Sequence, residues 1–156
     1  MFNVALYEPE IPPNTGNIIR LCANIGSKLQ LIKPLGFDLD DKKLRRAGLD
    51  YREFVDIQIH ENYADFLAHN KSARIYACST RGKTYHSEAT FCEGDVFLFG
   101  PETRGLPSEV LDTMAMEDII RLPMLPDSRS LNLSNATSTI LYEAWRQNNF
   151  KGAIHP

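Results

Sequence analysis

The segment from Ile119 to Gln147 limits the possible folds most, because its hydrophobic pattern changes period partway along. Ile119, Ile120 and Leu122 form a short apolar run that Pro123 closes, and this pattern predicts a buried β-strand. Further along, apolar residues recur at helical spacing and predict an amphipathic helix of about four turns. The residues on its apolar face are Leu133, Ala136, Thr137, Ile140, Leu141, Ala144 and Trp145.

A polar loop, Ser128 to Asn135, joins this strand to the helix. It carries three serines and two asparagines, whereas the N-cap of a helix needs only one such side chain. Two interpretations stay open at this point. The loop either caps a core helix generously or presents hydroxyl and amide groups to a ligand.

Length and composition indicate one globular domain that spans residues 1–156. The chain has 156 residues, of which 43% are hydrophobic and 24% are charged, and this is enough for a full core. No run approaches the ~20 apolar residues of a membrane span. A secretory signal needs an apolar segment near the N-terminus, and Glu8 and Glu10 interrupt any such segment. We therefore expect a cytoplasmic protein with no membrane partner.

Cysteine, histidine and charge patterns argue against several kinds of site. Three widely spaced cysteines, Cys22, Cys78 and Cys92, suit neither a disulfide framework nor a zinc ribbon, so we expect reduced and mostly buried thiols. The four histidines lack metal-ligand spacing, and no metal is expected. The net charge of −3 restricts any nucleic-acid surface to a local patch.

Apolar runs separated by helical segments predict an α/β fold with a parallel sheet. The predicted strands are 2–7, 29–32, 55–59, 74–78, 96–99 and 119–122. In such sheets ligands bind beyond the carboxyl ends of the strands. With 74–78, 96–99 and 119–122 as the central strands, the candidate binding loops begin at Cys78, Gly100 and Leu122.

Two predicted helices carry polar residues of interest. In the first, Asn14 or Thr15 is expected to cap a helix that ends near Ile25, and Arg20 points away from its apolar stripe. A second helix, over 40–47, has a basic face for which solvation is the plainer interpretation and RNA contact the alternative. Its basic residues are Lys42, Lys43, Arg45 and Arg46.

Several common cofactor and catalytic motifs do not fit. The stretch from Gly100 to Gly105 has the spacing of a phosphate loop, but Leu106 and Pro107 stand where that motif needs lysine and serine or threonine. No Gly-x-Gly-x-x-Gly sequence follows a predicted strand, and no nucleophile elbow is present. Any cofactor is therefore held in another way.

Three stretches together resemble the motifs of the SPOUT class of RNA 2'-O-ribose methyltransferases. They are 14-NTGNIIR-20, 96-VFLFGPETRGLP-107 and 120-IRLPMLPDSRSLNLSNATSTILYEAWRQ-147. The opening ALYEPEIPPNTGNIIRLCAN, with LIKPLGF and LRRAGLDY, also resembles the small tRNA wobble-position cytidine/uridine 2'-O-methyltransferases, which consist of the catalytic domain alone. The resemblance spans nearly the whole chain.

This resemblance implies a parallel-sheet SPOUT fold with a C-terminal trefoil knot, although chains generally avoid knots. It implies a homodimer that binds S-adenosylmethionine and releases S-adenosylhomocysteine. The implied activity is 2'-O-methylation of the wobble nucleotide, position 34, of tRNA, with leucine tRNAs as substrates. A catalytically silent knotted RNA-binding protein is the main alternative, and a small-nucleotide-binding regulator is a third.

Carried over residue by residue, the resemblance assigns the methyl donor to Cys78, Gly100, Leu122 and Ser130, largely through backbone groups. Glycine and proline at strand ends permit a close backbone approach to a ligand. For Cys78, plain packing in the core is the alternative. Glu102 and Asn132 match polar motif positions and are expected either to orient the donor or ribose or to act as structural caps.

Arg20 matches the residue that the family places at the target ribose, and Asn14 is the other polar member of that motif. Arginine keeps its proton in proteins, so Arg20 is expected to orient the 2'-hydroxyl or a phosphate and to stabilise negative charge. Asn14 either positions Arg20 or the RNA, or caps the helix. The resemblance also implies that Arg20 of one chain faces the donor pocket of the other, across the first helix and the 133–145 helix.

Overall fold

The computed structural model describes residues 1–40, 42, 46 and 55–156 of the chain. Within these ranges seven strands form one sheet, and every strand pair is parallel. This confirms the predicted α/β fold with a parallel sheet. The strands are β1 (Asn3–Tyr7), β2 (Lys28–Ile32), β3 (Ile57–His60), β4 (Ile75–Cys78), β5 (Thr84–Tyr85), β6 (Val96–Phe99) and β7 (Ile119–Arg121). Their order across the sheet is β3-β2-β1-β6-β4-β7-β5.

Four α-helices lie wholly within the described part of the chain and pack against the sheet. They are α1 (Pro12–Ile25), α2 (Tyr63–His69), α3 (Ser108–Leu111) and α4 (Leu133–Gln147), and a 3-10 turn covers Met116–Asp118. The predicted amphipathic helix is confirmed as α4, which has 15 residues. None of the helices among these residues is long and apolar enough to cross a membrane. The trefoil knot stays a prediction.

The sheet is covered on both faces, as β1 illustrates. Val4 and Leu6 belong to one core cluster, together with Ile18 of α1 and Ile140 of α4. Ala5, which lies between them, belongs to a second cluster with residues of α2 and α3. Successive residues of a strand point to opposite faces, so this single strand contributes to both cores. Burial on both faces explains why the central strands read as continuous apolar runs.

The order of the strands positions the candidate binding loops. From β1, strands β2 and β3 add on one side, whereas β6, β4, β7 and β5 lie on the other. Open α/β sheets bind ligands at such a switch in direction, outside the carboxyl ends of the strands. Strands β6, β4 and β7 are neighbours, so the three predicted binding loops leave the sheet side by side.

The start of α1 differs from the prediction. The helix begins at Pro12, with Ile11 as its N-cap residue and no capping side chain of its own. Asn14 and Thr15 therefore lie inside the first turn, and the expectation that either caps the helix is wrong. Proline is favoured at this position because it has no backbone N–H that would need an acceptor. Arg20 is exposed on α1, as its place off the apolar stripe predicts.

The basic helix is described in part. Lys42 and Arg46 are helical and exposed, in agreement with the predicted helix over 40–47. Lys43 and Arg45 lie outside the described residues. Exposure of Lys42 and Arg46 suits both the solvated-face interpretation and an RNA contact.

The cysteines are less uniformly buried than expected. Cys22 is buried and Cys78 is half-buried, but Cys92 is exposed. Cys92 lies in the connection that precedes β6 rather than on a strand or helix. The expectation of mostly buried thiols therefore fails for Cys92.

Candidate functional site

A cavity of about 530 Å³ lies at the carboxyl ends of β4, β6 and β7. Small-molecule sites in proteins have volumes of about 300–1,000 Å³. Seven of the sequence-predicted site residues line the cavity: Asn14, Cys78, Gly100, Glu102, Leu122, Ser130 and Asn132. The three predicted binding loops therefore meet at one place.

Arg20 is not among the described residues that line this cavity. It is exposed on α1, six residues after Asn14, and six residues correspond to about 9 Å along a helix axis. Lys42 and Arg46 do not line the cavity either. Within one chain, the predicted catalytic arginine thus lies outside the lining that the predicted donor residues share.

Gly100 is required by the path of the loop that follows β6. The loop turns back at Gly105, whose φ of 66° lies in the left-handed region, and the Gly105 N–H donates to the carbonyl of Pro101 over 2.9 Å. A β-carbon on Gly100 would overlap the backbone of Gly105 and Leu106. Any larger residue at position 100 would push this loop away.

The Glu102 carboxylate joins the loop after β6 to the start of α1. Its two oxygens accept hydrogen bonds from the Glu10 N–H over 2.8 Å and from the Ile11 N–H over 3.1 Å. In return, the Glu10 carboxylate accepts from the hydroxyl of Thr103 over 2.7 Å and from its N–H over 3.2 Å, and these bonds lower the pKa of Glu10. Glu102 was expected either to orient the donor or ribose or to act as a structural cap. Its hydrogen bonds to backbone N–H groups are those of a structural role.

Asn132 connects α4 to α1. Its Oδ1 accepts from the Ser134 N–H over 2.9 Å and caps α4. Its Nδ2 donates to Oδ1 of Asn14 over 2.9 Å. Asn132 therefore caps the helix, which is one of the two interpretations of the polar loop. Asn132 and Ser130 of this loop also line the cavity.

One of the three thiols, that of Cys78, lines the cavity. Burial raises the pKa of the Cys78 thiol well above its ordinary value, and burial in the core raises the pKa of Cys22 to about 12. The thiolate, not the thiol, attacks electrophiles, so burial disfavours the nucleophilic form of Cys78. Within the described ranges, no group of three or more His, Cys, Asp or Glu side chains is placed to hold a metal ion.

Sequence reasoning missed two arginines of the cavity, Arg104 and Arg121. Arg104 forms an ion pair with Glu8 over 2.7 Å. The Nε of Arg121 is buried and has no hydrogen-bond partner among the residues that the structure describes. The only sequence signal for Arg121 is its position directly before Leu122, a residue already assigned to the donor.

The chain matches the SpoU rRNA Methylase family over residues 1–142 and therefore belongs to this family of RNA methylases. It is similar to the tRNA (cytidine(34)-2'-O)-methyltransferase of Methylovorus glucosotrophus, with 58% identity over 154 residues that cover 99% of this chain and 100% of the relative. The resemblance seen in the three motifs is thus confirmed over nearly the whole chain.

Two solved structures share the fold. One, described as giving structural insights into the 2-OH methylation of C/U34 on tRNA, is 47% identical with a TM-score of 0.91, and the match covers 97% of this chain and 98% of that one. The other, an AdoMet-bound rRNA methyltransferase from Sinorhizobium meliloti, is 27% identical with a TM-score of 0.84 and matches 93% of this chain but 56% of its own. These similarities confirm the SPOUT-type sheet.

We predict that Glu102→Ala lowers the free energy of unfolding by about 1–3 kcal/mol, because two backbone N–H groups lose a charged acceptor. Glu102→Gln, which keeps one carbonyl acceptor, should lose less. Urea denaturation measures both effects. Glu109→Ala removes an exposed acid from α3 and should shift stability by less than about 0.5 kcal/mol. Equal unfolding midpoints for Glu102→Ala and Glu109→Ala would contradict a structural role for Glu102.

Proposed function

We propose that the protein transfers a methyl group from S-adenosylmethionine to the 2'-hydroxyl of the wobble nucleotide, cytidine or uridine 34, of tRNA. The observation that carries this proposal is the meeting of all three motif loops at one cavity. It is supported by 58% identity, over nearly the whole chain, to a tRNA (cytidine(34)-2'-O)-methyltransferase. Leucine tRNAs are the proposed substrates, and the cytoplasm is the proposed location.

The cavity fits S-adenosylmethionine in size and in chemistry. An adenine ring needs directional groups at its edge and an apolar surface against its face. Leu106 and Leu122 line the cavity with apolar surface, and Gly100 at the end of β6 lines it as well. The residues proposed to hold the donor are Cys78, Gly100, Leu122 and Ser130.

Arg20 is proposed to act on the target ribose. When bound, S-adenosylmethionine supplies an electrophilic methyl group. The ribose 2'-hydroxyl is a weak nucleophile, so the protein has to align it and stabilise the negative charge that develops on its oxygen. A guanidinium does this as a permanent cation but does not accept the proton, and the proton acceptor is therefore a different group. Asn14, held by Asn132 at the cavity, is proposed to position the RNA.

Two copies of the chain are proposed to build each site. Arg20 does not line the cavity of its own chain, and it is exposed on the helix α1, which packs against α4. Tyr142 on α4 and Phe150 just beyond it are 45% and 40% exposed, which is apolar surface that a dimer would bury. An isologous interface through α1 and α4 would then bring each Arg20 to the cavity of the partner.

The activity is tested by mass spectrometry of ribonuclease fragments from tRNA incubated with the protein and S-adenosylmethionine. The wild-type protein should methylate nucleotide 34. Arg20→Ala should lower the single-turnover rate by about 100-fold or more, the scale of losing one charge-stabilising group. Arg20→Lys should restore little, because a point charge lacks the planar fork of arginine.

Calorimetry should show that Arg20→Ala binds the donor as tightly as the wild type does. The control variant Lys28→Ala removes an exposed cation at the opposite end of the sheet, and it should keep the wild-type methylation rate. A wild-type rate in Arg20→Ala would remove Arg20 from the chemistry. Wild-type protein that binds tRNA without methylating it would support the silent RNA-binding alternative instead.

Lys42 and Arg46, with Lys43 and Arg45, are proposed to contact tRNA phosphates. Replacing Lys42 and Arg46 with glutamine should weaken tRNA binding and reduce the slope of log affinity against log salt by about 1.4–1.8, since each lost phosphate contact removes about 0.7–0.9. Filter binding over a salt series measures this slope. The matched pair Lys28→Gln and Lys71→Gln removes two other exposed lysines and should leave it unchanged. Equal slopes for the two double variants would leave the basic helix as a solvated face.

Mixed dimers test whether each site is composite. Arg20→Ala chains keep the donor pocket, and Ser130→Trp chains keep Arg20 but fill the cavity that Ser130 lines. If sites are composite, a mixed dimer regains one intact site, and methylation rises towards half of the capacity of a wild-type dimer. Ser128→Trp, which changes an exposed residue that the cavity does not include, is the control for the bulk of the side chain. Inactive mixtures after verified subunit exchange would show that each chain carries a complete site.

A further inference from the structure

Two asparagines at the cavity are joined by a hydrogen bond that fixes which atom each of them presents. The Oδ1 of Asn132 accepts from the Ser134 N–H over 2.9 Å and from the Ser134 hydroxyl over 2.6 Å. A backbone N–H is always a donor, so the atom of Asn132 that faces the start of α4 has to be its oxygen. The amide nitrogen of Asn132 is therefore the atom that meets Asn14, and it donates to Oδ1 of Asn14 over 2.9 Å.

The orientation of the Asn14 amide follows from this bond. An asparagine side chain has one acceptor oxygen and one donor nitrogen, and because Asn132 brings a donor, Asn14 has to turn its oxygen towards Asn132. Among the described residues, Nδ2 of Asn14 donates no hydrogen bond, and unlike Oγ1 of the adjacent Thr15 it keeps accessible surface. Asn14 lines the cavity, so this N–H group is open to a ligand there.

The position of Asn14 favours the target nucleotide over the methyl donor as the ligand of this N–H group. The residues proposed to hold the donor belong to the loops after β4, β6 and β7 and to the loop before α4. Asn14 instead lies in the first turn of α1, close to Ile11, which lines the cavity and is 40% exposed. The start of α1 is therefore part of the rim of the cavity, where a polynucleotide reaches it from outside.

We propose that Asn14 donates a hydrogen bond to the 2'-oxygen of the target ribose, and that Asn132 is the positioning residue that holds Asn14 in this orientation. This inference rests on the proposed function. An N–H donor stabilises negative charge as it develops on the attacking oxygen. Because its own oxygen is bound to Asn132, Asn14 is not the group that accepts the hydroxyl proton. The residue that caps α4 thus decides that the side chain facing the substrate is a donor.

Aspartate substitutions test the assignment, because they remove a donor and keep an acceptor. Asn14→Asp still accepts from Asn132 but presents no N–H to the ribose, and single-turnover methylation of tRNA should slow by about 100-fold or more. Asn132→Asp still accepts the N–H groups of α4, so the midpoint of urea denaturation should be unchanged or higher. It no longer donates to Asn14, whose nitrogen then turns towards the new carboxylate, and the methylation rate should fall by about 10-fold or more.

A double variant shows whether Asn132 acts through Asn14. Asn14→Ala alone should lower the rate by about 100-fold, and the addition of Asn132→Asp should lower it no further. Calorimetry should give the wild-type affinity for S-adenosylhomocysteine in Asn14→Ala. The matched control Asn62→Asp makes the same change at the N-cap of α2, and Asn17→Asp changes an exposed residue of α1. Both controls should keep the wild-type rate.

Each other result overturns a distinct statement. A wild-type rate in Asn14→Asp would show that position 14 acts as an acceptor, and additive losses in the double variant would show that Asn132 contacts the ligand itself. Weaker binding of S-adenosylhomocysteine in Asn14→Ala would assign the N–H group to the methyl donor and overturn its role at the ribose. These three results would leave the proposed activity standing. Wild-type protein that does not methylate nucleotide 34 would overturn the proposed function, and this inference with it.

Discussion

The pairing of two loops through Glu102 and Glu10 is the constraint on which the site depends. The loops follow neighbouring parallel strands, β1 and β6, and the chain that leaves them goes to opposite faces of the sheet. Each glutamate binds the other loop, and three of the four hydrogen bonds involve backbone N–H groups. These bonds therefore fix the main chain beside Gly100, where the cavity begins.

Electrostatics at this end of the sheet follow from the same arrangement. The carboxylates of Glu8, Glu10 and Glu102 are each bound by groups of the protein itself, whereas Arg121 has a buried N–H without an acceptor among the described residues. The acidic groups at this end of the sheet are therefore held by the protein itself, and they present less unpaired negative charge than the net charge of −3 suggests. Local pairing, not net charge, determines what such a cavity binds.

Much of the fold follows from periodicity alone, because strands buried on both faces read as continuous apolar runs and α4 repeats at helical spacing. The loops that line the cavity were predictable as well, since they follow those strands. The anchoring of the segment that precedes α1 was not, because its acceptor, Glu102, lies 92 residues from Glu10 in sequence. The buried Nε of Arg121 was not predictable either, because the lack of a hydrogen-bond partner is a property of the folded surroundings. The role proposed for Arg20 involves a second chain, which no single-chain pattern specifies.

The hydrogen bond between Asn132 and Asn14 spans 118 residues and has a consequence for biosynthesis. The cavity takes its lining from Ile11 at one end of the chain to Ile140 near the other. Helix α4 follows every other lining element in chain order, so a nascent chain does not complete the lining of this cavity before α4 has left the ribosome. The cavity is therefore assembled after the strands that surround it, and a chain that stops before α4 lacks part of the cavity wall.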